Sequence, residues 1–287
     1  MTILPQLIVN SLIAGAIYTL IALGFNLIYG ATKFFNLAHG AMAAIGGYSF
    51  FYITKTFGLA IIPCAILSII IAGFSGYLLD KLVYLQLRKK KASNLVLLVA
   101  SLGAFTFIQA IIAILFSSQF QILSHVNQKT FKIAGGIITQ TQIIILFFAF
   151  IITFALALLL KFTLFGKKIK AISDDEEVAK IVGINTNKVI GYIFFIGSAI
   201  MGIAGILIGF DIGIEPTMGM RLLLKGIIAS IIGGVGNIYG GFIGAFLLGF
   251  VENFGIWKIS GEWKDAIAFA LLIIFLLFKP SGIMDKE

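Results

Sequence analysis

The sequence consists largely of long apolar segments, separated by short polar or charged clusters. An α-helix needs about 20 mostly apolar residues to cross the hydrocarbon core of a bilayer, and it satisfies its own backbone hydrogen bonds there. The pattern predicts an all-α, polytopic integral membrane bundle with about 8–10 transmembrane helices. The nine candidate spans are residues 6–29, 34–53, 59–79, 94–116, 142–160, 189–210, 222–238, 240–256 and 265–278. The last three are short, and each is also compatible with a re-entrant or broken helix inside the bundle.

The composition supports a membrane protein. The chain is 60% hydrophobic and 11% charged, with a mean hydropathy of +1.10. It therefore carries more apolar surface than a soluble core of 287 residues could bury. The net charge of +9 comes from basic residues in short runs between apolar segments, which indicates membrane topology rather than nucleic-acid binding.

The distribution of basic residues predicts the orientation. If the basic run at 88–91 is cytoplasmic, 14 of the 21 Lys and Arg residues lie on the inner side and 7 on the outer side. Cytoplasmic loops retain Lys and Arg, so we expect the N-terminus outside and the C-terminus inside. The first basic residue is Lys33, so the first apolar segment is expected to remain as a span rather than to be a cleaved signal. We expect one transmembrane domain, residues 1–287, with an outer polar stretch at 117–141.

The cytoplasmic loop at 166–188, GKKIKAISDDEEVAKIVGINTNK, predicts a short amphipathic helix. Ser173 and Glu176 have the spacing of a capping box, and four acidic residues lie where the helix dipole favours negative charge. Val178, Ile181 and Val182 fall on one face. Gly183 can adopt the left-handed conformation that ends a helix. A helix this short is marginal alone, so we expect it to pack against a partner, although an ordinary solvated loop helix gives the same pattern.

Several motifs carry a family resemblance. Glu177, Ala179 and Gly183 resemble the E-A-A-x-x-x-G coupling loop of ABC importer permeases, with Val178 in place of the middle alanine. The FNLAHG motif at 35–40 is similar to a family N-F-A-H-G pattern but has Leu37 where Phe is usual. Residues 10–30, 183–207, 233–252 and 262–284 match in order and spacing. Over nearly its whole length the chain resembles the branched-chain amino acid permease family of the LivH type.

The resemblance implies a permease subunit of an ATP-binding cassette importer in the bacterial inner (plasma) membrane. It would translocate branched-chain or other hydrophobic amino acids delivered by an extracytoplasmic substrate-binding protein. Two ABC ATPase subunits and a second homologous permease subunit would be its partners, within membrane lipid. The residues expected to couple it to the ATPases are Asp174, Glu177, Ala179, Gly183 and Ile184.

The chain is not expected to be an enzyme. Its one Gly-Lys pair, at 166–167, lacks the preceding glycine and the following Ser or Thr of a phosphate-binding loop. ATP would therefore be bound by the partner subunits, and no cofactor is expected in this chain. With two histidines and one cysteine, neither a metal site nor a Cys/His nucleophile is supported.

Polar residues within apolar segments are candidates for the substrate pathway, because they are costly in lipid unless they have partners or face a cavity. Asn36 and His39 lie three residues apart, beside Gly40, and are expected on one helix face. An interhelical hydrogen bond is the alternative. Glu252 and Asn253 lie late in the eighth segment, where Glu252 could bind a substrate amino group or pair with a basic residue such as Lys225.

Glycines and turn residues complete the set of candidates. Gly236, Gly240 and Gly244 recur every four residues, which predicts one helix face for close helix packing. No G-x-G-x-x-G dinucleotide motif is present among them. Asp211 and Glu215 precede Pro216 on the outer side, where either a solvated turn or a docking site for a binding protein fits.

Two other functions stay open from the sequence. Permeases of the same family could carry urea or short amides, and an apolar bundle sequence cannot choose among these cargoes. Alternatively, an ATPase-independent secondary transporter could use Glu252 as a proton carrier. That alternative has few intramembrane carboxylates for a relay and gives the helix of the cytoplasmic loop no purpose.

Overall fold

The structure, a computed structural model, describes residues 3–123, 129–133 and 135–284. The α-helices are α1 (Ile3–Thr32), α2 (His39–Phe57), α3 (Ile61–Leu79), α4 (Leu85–Lys89), α5 (Asn94–Phe116), α6 (Gln140–Phe162), α7 (Leu164–Asp174), α8 (Glu176–Ile181), α9 (Thr186–Asp211), α10 (Met218–Gly233), α11 (Ile238–Gly255) and α12 (Lys264–Phe278). A π-helical turn, Asp80–Tyr84, joins α3 to α4, and a 3₁₀ turn, Gly261–Trp263, precedes α12.

One short hairpin interrupts the helices. Strands β1 (Thr130–Ile133) and β2 (Gly136–Thr139) pair antiparallel, with Thr130 opposite Thr139. The hairpin lies in the polar stretch at 117–141, which the sequence left without regular structure; residues 124–128 and 134 of that stretch lie outside the described part of the chain. Thr139 ends the hairpin and also begins α6, because its side chain accepts the backbone N–H of Gln142 at 3.2 Å.

All nine predicted apolar segments are helices. In the described part of the chain, six helical stretches are long and apolar enough to cross a membrane: α1, α3 continuing through α4, α5, α6, α9 and α11. The other three, α2, α10 and α12, contain 19, 16 and 15 residues. A helix of 16 residues is about 24 Å long, shorter than the hydrocarbon core of about 30 Å. The chain is a polytopic helical membrane protein, and its orientation stays a prediction.

Two helices form the centre of the bundle. In the most apolar window of α1 and of α9, 72% of the residues are buried, against 28%, 22% and 17% for α3–α4, α5 and α6. The outer helices therefore present many apolar side chains on their surface, among them Phe107, Ile114, Phe147 and Phe154. Such exposure is expected in lipid, where apolar side chains need no protein partner.

Glycine allows α10 and α11 to approach closely. A Cβ atom at Gly240 would collide with the backbone carbonyl of Gly233, and one at Gly244 would collide with that of Ala229. The predicted packing face is right for these two glycines and wrong for Gly236. Gly236 has φ of +85° and lies in the turn before α11, where its backbone passes Gly30 of α1. The turn needs a left-handed residue there, so the period of four ends at the helix start.

The C-terminal segment of the chain packs against the C-terminal end of α10 and forms hydrogen bonds with it. The backbone N–H groups of Ile283 and Met284 donate to the carbonyls of Ile232 and Gly233, at 2.9 and 3.0 Å. The side chain of Asn237 in turn donates to the carbonyl of Met284 at 2.8 Å. The last carbonyls of a helix have no partner within it, so this segment satisfies two that would otherwise need water.

The glycine contact between α10 and α11 gives a test of the packing. We expect Gly244→Ala to lower the free energy of unfolding by about 1–3 kcal/mol, because the added methyl group forces the two backbones apart. Gly103→Ala is the matched control, since a Cβ atom there meets nothing within 4 Å. Thermal unfolding in detergent should show a clear drop for Gly244→Ala alone. Equal melting temperatures for the two variants would contradict the packing role.

Candidate functional site

The loop at 166–188, which the sequence predicted to be cytoplasmic, contains two helices where one was predicted. The unpredicted helix α7 begins after Thr163, whose hydroxyl accepts the N–H of Gly166 at 2.9 Å. Its Ile169 and Ile172 are buried against the bundle. The sequence does contain the pattern of a helix start here: a threonine, then two apolar residues, then two isoleucines three residues apart. The lysines between them made the segment resemble a solvated loop.

The predicted capping box at Ser173 is wrong. Ser173 lies inside α7, so its backbone is already helical and cannot begin a new helix. Asp175 begins α8 instead, and its Oδ1 accepts the N–H groups of Glu177 and Val178 at 2.8 and 3.0 Å. Glu176 does not bond to the residue predicted as its capping partner. Its carboxylate accepts a hydrogen bond from the hydroxyl of Thr186 at 3.1 Å, and this bond connects α8 to the start of α9.

The end of α8 agrees with the prediction. Gly183 has φ of +85°, and the N–H of Ile184 donates to the carbonyl of Ala179 at 3.0 Å. Ala179 is buried, and Ile184 packs against the same apolar cluster. These contacts anchor one side of the helix to the bundle.

The other side of α8 is exposed and apolar. Val178, Ile181 and Val182 are 54%, 83% and 68% exposed, and Asp174 and Glu177, close to them in the sequence, are exposed as well. We call these five residues the α8 surface. An apolar patch with an acidic border, on a polar segment of the chain, is typical of an interaction site.

A cavity of about 640 Å³ lies at the opposite end of the bundle. The N-terminal part of α1 borders it, whereas Gly30, near the end of α1, lies beside Ser173 of α7. Both apolar and charged side chains line the cavity. The charged side chains that line it are Asp211, Glu215, Arg221, Lys225, Lys264 and Asp265.

Glu252 is fully buried and has partners on three other helices. Its Oε2 accepts the hydroxyl of Tyr18 on α1 at 2.6 Å, and its Oε1 accepts Lys225 Nζ of α10 at 2.6 Å. Lys225 Nζ also lies 2.7 Å from Asp265 Oδ1, while Lys264 Nζ is 3.7 Å from Glu252 Oε2. We call these five residues the Glu252 network. Of the two alternatives for Glu252, the structure shows the pairing with Lys225, whereas Tyr18, Lys264 and Asp265 were not predicted.

The connection between α9 and α10 forms another part of the cavity wall. Gln121 and Ile214 exchange two backbone hydrogen bonds, at 3.0 and 2.8 Å, which hold this connection against the segment that follows α5. Glu215 forms an ion pair with Arg221, and Asp211 Oδ1 accepts the side-chain N–H of Gln142 at 3.2 Å. Asp211 and Glu215 therefore belong to a structured turn at the cavity.

The structure separates the other pathway candidates from the cavity. Asn36 lies in the turn before α2, so it does not share a helix face with His39, where α2 begins. Asn36 Oδ1 accepts the hydroxyl of Tyr84 at 2.8 Å, and the buried ring of His39 packs against Gly24. Gly40 allows the backbone of α2 to approach α10. The described lining of the cavity includes Asn253 but not these three residues, and their pathway role stays a prediction.

The long apolar helices define a multi-pass membrane protein. The family model described as branched-chain amino acid transport system, permease component, matches residues 7–276, and the chain belongs to this family. It is 32% identical to the high-affinity branched-chain amino acid transport system permease protein BraD of Pseudomonas aeruginosa, over 98% of this chain and 95% of that protein. The corresponding LivH proteins of Salmonella typhimurium and Escherichia coli K12 are 32% and 30% identical, over the same shares. No solved structure matched significantly.

The Glu252 network predicts an asymmetry between single and double substitutions. Lys225→Met leaves the buried carboxylate of Glu252 without its closest cation, so we expect a loss of about 3 kcal/mol in the free energy of unfolding. Adding Glu252→Gln removes that charge, while the amide oxygen can still accept from Tyr18. Asp265 is 69% exposed and stays solvated in both variants. Thermal unfolding should rank the double variant above Lys225→Met, and the reverse order would contradict the pairing.

Proposed function

We propose that the chain is the permease subunit of an ATP-binding cassette importer that translocates branched-chain or other hydrophobic amino acids. The α8 surface is the observation that carries the proposal. The cargo follows from the relatives, which are branched-chain amino acid transport permeases by name.

The α8 surface has the properties of a binding site for a partner protein. A six-residue helix is unstable in water by itself, yet α8 is fixed by the cap at Asp175, by the bond from Thr186 to Glu176 and by the buried Ala179. It therefore holds its apolar side chains in a defined position. A partner that binds this surface gains apolar burial, and basic groups on its rim would complement Asp174 and Glu177.

The same segment is built into the bundle, so movement of α8 reaches the spans. Ile169 and Ile172 of α7 are buried in the cluster that contains Ala179, together with residues of α1 and α9. Nucleotide-dependent motion of an ATPase could therefore change the positions of these helices. The outward- and inward-facing states must differ in their contacts with the ATPase, or no shift of population would follow.

The full importer would contain partners for the steps that this chain does not perform. Two ABC ATPase subunits would bind and hydrolyse ATP, a second homologous permease would complete the pathway, and an extracytoplasmic binding protein would deliver the substrate. The domain is the whole chain, 1–287, with residues 166–188 as its coupling loop. The N-out orientation would place the cavity on the side where a binding protein docks.

Secondary transport fits the geometry less well. A proton carrier must lose and regain its proton during the cycle, whereas Lys225 and Tyr18 hold Glu252 with contacts of 2.6 Å that stabilise a carboxylate.

The ATPase contact can be tested at one exposed position. We expect Ile181→Asp to lower the recovery of ATPase subunits in a mild-detergent pull-down by roughly tenfold or more, because docking would bury an unpaired charge. Ile181→Leu keeps an apolar side chain and should retain the ATPases. Equal recovery with both variants, or uptake that continues without ATP while an ion gradient remains, would refute the proposal.

The end of α8 provides a second test. Gly183→Val places a β-branched residue at positive φ, which strains the helix end by about 1–2 kcal/mol or more. Gly183→Asn is the control, since asparagine tolerates this conformation. We expect uptake driven by ATP to fall for the valine variant and to be largely kept by the asparagine variant. If both variants transport equally, the shape of this helix end has no part in coupling.

A further inference from the structure

A group of exposed lysines lies in a part of the chain that has almost no negative charge. Residues 1–173 contain one acidic residue, Asp80, whose buried carboxylate is already paired with Arg88 at 2.7 Å and Lys81 at 3.9 Å. We call the exposed group the lysine patch, and its members are Lys33, Lys89, Lys90 and Lys91. Within the described residues, none of their ammonium groups has an ion pair or a hydrogen bond. The patch therefore concentrates positive charge that nothing balances.

One side chain of α5 brings the two parts of the lysine patch together. Lys33 directly follows α1, whereas the other three lysines lie at the end of α4 and just after it. The side-chain amide of Asn94, the first residue of α5, donates to the backbone carbonyl of Lys33 at 3.3 Å. At most about 10 Å of backbone separates Asn94 from Lys91. Two segments distant in the sequence thus place their lysines in one region.

Two of these lysines have backbone conformations that favour glycine. The angle φ is +54° at Lys33 and +53° at Lys91. The N–H groups of residues 91 and 92 donate to the carbonyls of Arg88 and Leu87, at 2.9 and 3.1 Å, which is a Schellman motif. Glycine is the usual residue at such a position, and a side chain kept there despite strain indicates a function. Membrane orientation does not explain it, because that rule needs positive charge only somewhere in the loop.

The lysine patch lies where lipid headgroups would be. The helical stretches α1 and α3–α4, both long enough to cross a membrane, end beside its lysines, and α5 begins just after them. The first turns of α5 expose the apolar side chains of Leu95, Val96 and Val99. A surface that is positive at the ends of the spans and apolar along them matches the two parts of an anionic phospholipid.

We propose that the lysine patch binds the headgroup of an anionic phospholipid, whose acyl chains lie along the apolar side chains at the start of α5. Each lysine close to the anionic headgroup adds to the attraction, and no carboxylate of the described residues competes within ion-pair distance. The turn at Lys91 and the bond from Asn94 to Lys33 fix the backbone of two lysines before lipid arrives, which lowers the cost of ordering them. Neither the transported substrate nor the ATPase contact enters into this site.

Binding of phosphatidylglycerol tests the patch. The full-length permease in neutral detergent is titrated with dioleoyl phosphatidylglycerol or dioleoyl phosphatidylcholine, and bound lipid is counted by native mass spectrometry. We expect phosphatidylglycerol to bind at least about 10-fold more tightly. Glycerol 3-phosphate, which has a phosphate but no acyl chains, should not compete at the same concentration. Equal affinity for the two lipids, or displacement of phosphatidylglycerol by glycerol 3-phosphate, overturns the lipid site.

Substitution by glycine separates lipid binding from folding. Lys33→Gly combined with Lys91→Gly removes two charges and relieves two strained positions. We expect its melting temperature in lipid-free detergent to stay equal or to rise, while phosphatidylglycerol binds about 25-fold more weakly, about fivefold for each lysine. Lys33→Arg combined with Lys91→Arg keeps both charges and should keep the affinity. A clear fall in the melting temperature of the glycine variant, or an equal loss of affinity in the arginine variant, shows a structural role and overturns the proposal.

A control with the same change in net charge comes from the opposite end of the bundle. Lys132 of β1 and Lys258 after α11 are exposed, and Lys132→Gln combined with Lys258→Gln should bind phosphatidylglycerol as the wild type does. An equal loss in this variant reduces the effect to net charge and overturns the patch. The glycine variant should also recover ATPase subunits normally in lipid-free detergent. If that recovery is lost, the patch is a protein contact, and the lipid proposal fails while the proposed function stands.

Discussion

Close contact between helix backbones holds this bundle together, because lipid is as apolar as the helix surfaces and gives the helices no hydrophobic reason to associate. Dispersion between atoms at short range therefore has to supply the attraction. The glycines provide that range: α10 and α11 meet at Gly233 and Gly240, and a Cβ atom at Gly249 would lie 2.7 Å from the backbone nitrogen of Gly15 on α1. This tight frame places Glu252 against Tyr18 and Lys225, and so determines where charge can be held within the bundle.

The positions of the helices could be predicted from the sequence because length and hydropathy alone select a membrane span. The pairing of Glu252 with Lys225 followed from a similar constraint, since a carboxylate among apolar side chains needs a counter-charge. The α8 surface was likewise visible, because three apolar residues at helical spacing in a charged loop indicate an amphipathic helix. In each case the relevant physics is local to one segment, or to one obligatory partner.

The details that failed depend on neighbours that the sequence does not show. Ser173 has a side chain that can cap a helix, but it lies within α7 and its backbone is already helical. Asp175, the first residue after α7, caps α8 instead. Gly236 continues a period of four, but the turn that it serves is set by contact with α1. Asp211 and Lys264 lie at the ends of two helices that are far apart in the chain. Only the packing of those helices reveals that both border one cavity.

The glycine contact between α10 and α11 has a mechanical consequence. The two backbones meet at Gly233 and Gly240 with no side chains between them. The pair therefore has no rotamers to exchange at this contact, and we expect the two helices to move together as one hairpin. One end of the hairpin is bonded to Asn26, which accepts the N–H of Gly236 at 2.9 Å and donates to the carbonyl of Asn237 at 3.1 Å. The other end carries Lys225 and Glu252. A small tilt of the two helices at this turn would therefore displace the ion pair of Lys225 and Glu252, about 20 Å away. The ion pair would stay intact, and no side chain would need to change its rotamer.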